Sequence, residues 1–262
     1  MIRAVVLATV LSLAVPALAD DAEIHTFHCL HGCPMGSPST NDLIVREIYT
    51  LSSNDRTKLA DWVAYRVTVD LIGPSGPRRW QADPWLAVSE TLLPDHYVDA
   101  HETLSVDRGH QAPLASFSGS PYAADTNYLS NITPQRSALN QGPWVRLETA
   151  ERSLVERGRA SEEPAALYVL TGPLYERVMQ PLPLPRGWVR HRVPSGYWKV
   201  IATADGGLSA FIMDQDAPRT ASHCDFRVPL EEVELRTNLT LFPRDQERAF
   251  HTLDDGLGCS SQ

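Results

Sequence analysis

Four cysteines, two near each end, constrain this chain more than any other feature. Cys29 and Cys33 stand close together near the start, and Cys224 and Cys259 lie near the finish. Whether they are crosslinks or metal ligands depends on the compartment, and residues 1–19 bear on that. Arg3 gives a short positive start, Ala4 to Val15 is an uncharged apolar run, and Ala17-Leu18-Ala19 reads as a small-x-small cleavage site. The run is too short to span a bilayer as a permanent helix. These residues predict an export signal cleaved after Ala19, a secreted or periplasmic mature protein, and oxidised cysteines. The simplest pairing is Cys29–Cys33 with Cys224–Cys259, each closing one end of the chain, and the two crossed pairings stay open. A competing reading makes a small metal site of His25, His28, Cys29, His31 and Cys33, because imidazole and thiolate suit zinc, but their spacing matches no standard zinc module.

No later stretch is long and apolar enough to cross a membrane, so no membrane association is expected. Residues 20–262 are expected to form one domain, long enough to bury a substantial core. With 23 basic and 32 acidic residues the formal net charge is −9. That balance argues against a protein that coats nucleic acid through bulk positive charge. It leaves open an enzyme that binds nucleic acid locally, where a cation and a few arginines reverse the sign.

Leu43–Leu51 and Trp62–Val69 are rich in β-branched and aromatic residues, with Ser52-Ser53-Asn54-Asp55 between them, which predicts antiparallel strands. Leu92–His101 reads as a short helix or irregular segment. From Pro143 to Glu156 the pattern is helical, with proline near the start and Gly158 available to end it. Asn131-Ile132-Thr133 and Asn238-Leu239-Thr240 match glycosylation sequons, a pattern that arises often by chance.

Chemistry concentrates in Asp107-Arg108-Gly109-His110, followed by Gln111-Ala112-Pro113. Histidine is the side chain whose charge changes nearest neutral pH, so it can take a proton from water. Arginine presents a planar fork of donors to phosphate. Glycine between them allows close approach of backbone and substrate. Together they suggest phosphate-ester chemistry more than acyl transfer. Downstream, Glu148 and Arg152 share a helix face. Asn140 reads either as a helix cap or as a neutral oxygen ligand for a hard cation such as Mg²⁺. Arg78-Arg79-Trp80 follows a Gly/Pro-rich break. Among the described patterns there is no Gly-x-Ser-x-Gly elbow, His-Glu-x-x-His, P-loop or dinucleotide fingerprint.

Three of these segments in order, Asp107 to Pro113, Asn127 to Gln135 and Leu139 to Glu148, make the chain similar to the secreted DNA/RNA non-specific endonucleases, the Serratia-type enzymes of the ββα-metal or His-Me finger class. The resemblance runs from about Cys33 to the last cysteine. It implies an α+β fold, mixed in composition, with an antiparallel sheet core flanked by helices and a ββα-metal motif. It further implies His110 as general base, Asn140 as the protein ligand of hydrated Mg²⁺ (Mn²⁺ substituting), and Glu148 orienting the metal's waters. Arg78 would stabilise charge on the pentacoordinate phosphate, Arg108, Arg152 and the adjacent Arg79 would bind phosphate, and Asn131 would lie beside His110. The expected activity is cleavage of single- or double-stranded DNA and RNA with little sequence preference, leaving 5′-phosphate ends, in a protein the resemblance allows to be a homodimer. The rival class is a catalytically inactive exported relative that only binds nucleic acid or metal.

Overall fold

Strands alternate buried side chains between two faces, and here the alternation builds a sheet covered on both sides. The computed structural model describes residues 23–74, 76–158, 166–183, 191–244 and 249–259. The export signal expected over residues 1–19 lies outside the described residues. In chain order the strands are β1 (Asp42–Val45), β2 (Thr50–Asn54), β3 (Leu59–Val67), β4 (Val106–His110), β5 (Ile132–Arg136), β6 (Leu167–Leu174), β7 (Gly196–Ala202), β8 (Gly207–Asp214), β9 (Arg227–Val228) and β10 (His251–Thr252). The helices are α1 (Ala100–Leu104), α2 (Leu114–Phe117), α3 (Ser137–Leu139), α4 (Val145–Arg157) and α5 (Leu230–Thr237). The main sheet runs β1-β2-β3-β6-β7-β8-β10, with β9 also on β8; every pairing is antiparallel except β8 with β10. Strands β4 and β5 form a separate antiparallel pair.

Val63, Tyr65 and Val67 of β3 join Tyr197 and Ile201 of β7 on the face beneath Trp144, Leu147 and Val155. Trp62, Ala64, Trp198, Val200 and Ala202 line the opposite face, covered by Val233 of α5 and by Leu241 and Phe242. Leu147 is fully buried, which stabilises the α4 packing by about 1.5–3 kcal/mol. A third cluster, including Tyr97, Val106, Leu129 and Ile132, supports the β4–β5 pair.

The predicted strand Leu43–Leu51 is in fact two strands, reversed between Arg46 and Tyr49, where the Arg46 N–H donates to the Tyr49 carbonyl at 2.8 Å. The polar cluster after it belongs to β2. Ser52, Ser53 and Asn54 are buried, with Asn41 donating to the Ser52 hydroxyl and Asp61 accepting from the Asn54 amide, so the turn falls later, at Asp55–Lys58. Lys58 takes the left-handed conformation, φ 66°. Leu92–His101 resolves into a 3₁₀ turn, Pro94–Tyr97, and the start of α1. The cysteines form Cys29–Cys33 and Cys224–Cys259, so no thiolate remains for the N-terminal metal reading. His28 is buried, with one ring nitrogen on the Thr50 hydroxyl at 2.9 Å and the other on the Glu47 carbonyl at 3.3 Å. Asn131 of the first sequon is also buried.

Candidate active site

Strand β4 presents Asp107, Arg108 and His110, and β5 holds it in register, with Gly109 opposite Thr133 and His110 opposite Ile132. Gly109 is required by packing. A Cβ there would sit 2.3 Å from Oε1 and 2.7 Å from Cβ of the buried Gln135.

After β5 the chain passes through α3 into a single π turn, Asn140–Trp144, before α4 begins. Such turns distort the regular helical ladder and recur at functional sites. The helix expected from Pro143 therefore starts two residues later. Gly142 lies outside helical geometry (φ −111°, ψ −118°), and a Cβ on it would meet the Arg219 carbonyl oxygen at 2.7 Å. That close approach sets the bend bringing Asn140 alongside β4. Asn140 and Glu148 thus meet through the bend, not along one continuous helix face.

A cavity of about 600 Å³ is lined by Arg78, Arg108, His110, Asn140, Glu148 and Arg152, together with Trp80, Tyr97, His101 and Asp107. Six of the eight site residues expected from sequence meet there. Arg79 is exposed and is not part of this lining. Asn131 is fully buried, and its side chain is spent on backbone: Oδ1 accepts from the Ala112 N–H at 2.8 Å, and Nδ2 donates to the carbonyls of Ala112 and Thr126 at 2.9 Å. It pins the loop that follows His110. The amide bonded to the imidazole is that of Asn127, whose Oδ1 lies 3.3 Å from His110 Nε2.

An amide oxygen only accepts, so this contact places the His110 proton on Nε2 and leaves Nδ1 with its lone pair. The Trp80 ring centroid lies 5.2 Å from that of the imidazole. Burial pushes the His110 pKa down to about 4; the nearby Arg78 charge acts the same way, and the Asn127 bond opposes both. The ring is neutral at neutral pH, the form that can accept a proton.

Asp107 is the hub of the opposite side. Its Oδ2 accepts from Asn140 Nδ2 at 2.9 Å and Gln141 Nε2 at 2.8 Å, while Oδ1 accepts from the Ser137 hydroxyl at 2.7 Å and meets His101 Nδ1 at 3.0 Å. Burial alone would raise its pKa, but these four bonds, with that from Asn140 foremost, outweigh it and hold the carboxyl below its usual value. Tying Asn140 through its nitrogen leaves the amide oxygen as the acceptor for a guest. Glu148, in the first turn of α4, is buried, and burial raises its pKa, with Lys199 opposing. An amide oxygen and a carboxylate, with no soft donor in the lining, fit a hard, partly hydrated divalent cation. Arg108 is braced by the Pro94 carbonyl at 3.1 Å and lies over the rings of Tyr97 and Trp80 at 5.3 and 5.7 Å. Arg152 donates to the Thr149 hydroxyl at 3.0 Å.

Two strands and a following helix that converge an imidazole and oxygen donors on one cavity form the ββα-metal layout. The chain belongs to the DNA/RNA non-specific endonuclease family, whose model matches residues 32–247. It is 43% identical over 265 residues to a nuclease of Serratia marcescens, an alignment covering 96% of this chain and 97% of that one. It is 31% identical over 237 residues to human mitochondrial endonuclease G, covering 82% and 74%. It is also similar in fold to a solved structure, a crystal structure of the EndoG/EndoGI complex, with TM-score 0.65 and 24% identity over 83% of this chain and 92% of that one. The protein is accordingly a hydrolytic, non-specific DNA/RNA endonuclease, and its family is metal-dependent.

Sequence reading passed over Asn127 and the bracing role of Asp107. Both stand inside the segments singled out above, so residue type was visible, but not which amide faces the imidazole.

Proposed function

We propose that His110 is the general base of phosphodiester hydrolysis, taking a proton from the attacking water at Nδ1. The observation that carries this is a neutral imidazole, fixed through Nε2 by Asn127, in one cavity with Asn140, Glu148 and three arginines. Asn140 would hold the cation through its amide oxygen, and Glu148 would orient the surrounding water. Mg²⁺ is the ion that best matches one neutral protein oxygen, because it keeps most of its own waters. Bound there, a divalent cation would offset negative charge at phosphorus and acidify nearby water. Arg78 is assigned to the charge developing on the phosphate, and Arg108 and Arg152 to the flanking backbone. Asn131 holds the loop after His110 and so supports the base from behind.

Arginine contacts to phosphate read no base edge, which supports tolerance of sequence, sugar and strandedness. We assign 5′-phosphate products on the family resemblance, and end-labelling that found 3′-phosphates would overturn this. Residues 20–262 are proposed as the mature single domain, exported by the leader. Amino-terminal sequencing of the protein recovered outside the cytoplasm should begin at Asp20. The decisive experiment digests plasmid and RNA with the purified protein in Mg²⁺, Mn²⁺ or EDTA, beside His110→Ala. Loss of cleavage with EDTA and with the substitution supports the reading; an active His110→Ala removes His110 as base.

A further inference from the structure

Lys199 lies on β7 between Tyr197 and Ile201, positions whose side chains enter the core beneath α4. Strand alternation sends the lysine the same way, and it is fully buried. Lys and Glu almost never lie fully buried unless paired. Its partner is Glu151 of α4, also fully buried, with Nζ and Oε1 3.0 Å apart. The Tyr65 hydroxyl closes a triangle, donating to Glu151 Oε2 at 3.1 Å and accepting from Lys199 Nζ at 3.2 Å. The ammonium also lies 4.5 Å from the centre of the Trp144 ring, at the junction of the π turn and α4. One buried cation therefore joins two central strands, the helix and the turn that delivers Asn140.

Glu151 is three residues after Glu148 and one before Arg152, so any rotation of α4 moves all three together. A helix entered through a π turn with a non-helical glycine lacks a regular ladder to fix its rotation. Helical side chains reach about 5–6 Å from the axis. A turn of roughly 10° would then shift the Glu148 carboxylate by about 1 Å, a displacement that can cost about 100-fold in rate.

We propose that Lys199, Glu151 and Tyr65 are positioning residues for the endonuclease reaction: they lock the rotation of α4 so that Glu148 and Arg152 face the cavity and Asn140. This rests on the site assigned above. The lock touches neither substrate nor metal; it acts through the helix and through the charges of Lys199 and Glu151 on Glu148, which oppose each other and leave together in the double variant below.

The test compares the parent protein with Lys199→Met/Glu151→Leu and with Tyr65→Phe. Replacing a buried ion pair by apolar residues often leaves stability unchanged or improved, so the double variant separates folding from positioning. For each protein, thermal melting, kcat and KM on DNA, and Mn²⁺ binding by electron paramagnetic resonance without substrate are measured. The double variant should melt close to the parent, lose about 10- to 100-fold in kcat, shift KM less than about threefold, and bind Mn²⁺ more weakly. Tyr65→Phe, which keeps both charges, should lose about two- to tenfold in kcat and melt below the parent, because the buried Glu151 Oε2 loses its hydroxyl donor. A folded double variant with parental kcat and Mn²⁺ affinity would overturn the proposal. If that variant does not fold, parental kinetics in Tyr65→Phe would overturn it instead. A parent that neither cleaves nor binds Mn²⁺ would overturn the site assignment itself, and the lock with it.

Discussion

His28 and His110 have the same perturbation and different work. Burial pushes both pKa values down to about 4. His28, however, has both ring nitrogens occupied, by Thr50 and by the Glu47 carbonyl, and sits beside the Cys29–Cys33 crosslink at the edge of the domain. His110 has one nitrogen on Asn127 and lines an open cavity with arginines and oxygen donors. A depressed pKa therefore marks desolvation, and function requires in addition an unspent nitrogen aimed at space a substrate can enter.

The sharpest way to break this contrast is to substitute each ring. His110→Ala should lower kcat about 10²- to 10⁴-fold, the usual contribution of a general base, with little change in melting. His28→Ala should leave activity per folded molecule intact and cost about 1–3 kcal/mol, chiefly from the Glu47 carbonyl that loses the imidazole, since the Thr50 hydroxyl keeps its bond to Thr26. Nuclease assays beside denaturant melts separate the two outcomes, and a catalytic defect in folded His28→Ala would erase the distinction.

Acid sharpens it. Below pH 6.5 an unfolded histidine takes a proton that native His28 refuses, since its folded pKa is about 4. The stability it contributes is intact above pH 6.5 and is lost as the pH falls from 6.5 toward 4, on the order of 3 kcal/mol in all. His28→Gln should flatten that loss in urea melts taken across this range. His110, with the same shift, adds its own share to that loss and alone appears in activity as well: the acid limb of kcat/KM should lie below pH 6.5, because the free protein's ring resists protonation. A limb above pH 6.5 would refute the neutral, desolvated imidazole.

Smaller effects probe what surrounds the ring. Asn127→Ala should cost about tenfold in kcat, through loss of one hydrogen bond worth about 1 kcal/mol and a looser tautomer. The neighbouring arginines give a control of the same kind: Arg78 lines the cavity and Arg79 does not. Arg79→Ala should change kcat less than about threefold, as expected of an exposed charge. Steady-state kinetics on DNA that ranked Arg79 above Arg78 would reverse the assignment.

Much of the site was legible because its residues are unusual and close in sequence. Asp107 to His110 reads as phosphate chemistry from side-chain types alone, and Asn140, Glu148 and Arg152 stand close to one another farther along the chain, beyond β5. The resemblance puts Asn131 beside His110, but which amide bonds the ring is decided by the loop, whose fold spends the Asn131 side chain on backbone and gives the imidazole contact to Asn127. The strand boundaries near Ser52–Asn54 were misplaced for a related reason. Polar residues read as a turn until Asn41, 11 positions from Ser52, and Asp61, 7 from Asn54, bond those two side chains inside the sheet.

By itself, then, the sequence determined the strands that alternate, the helix after Pro143, the cysteines at both ends and the residue types that do the chemistry. Those follow from local periodicity, backbone preference and functional-group inventory, which a linear reading contains. Only the tertiary structure decided which imidazole stays unspent, where Gly142 lets the chain bend against Arg219, and that Lys199 pairs with Glu151 across the sheet–helix interface. Those depend on desolvation and partners far along the chain, and neither exists until the chain is packed.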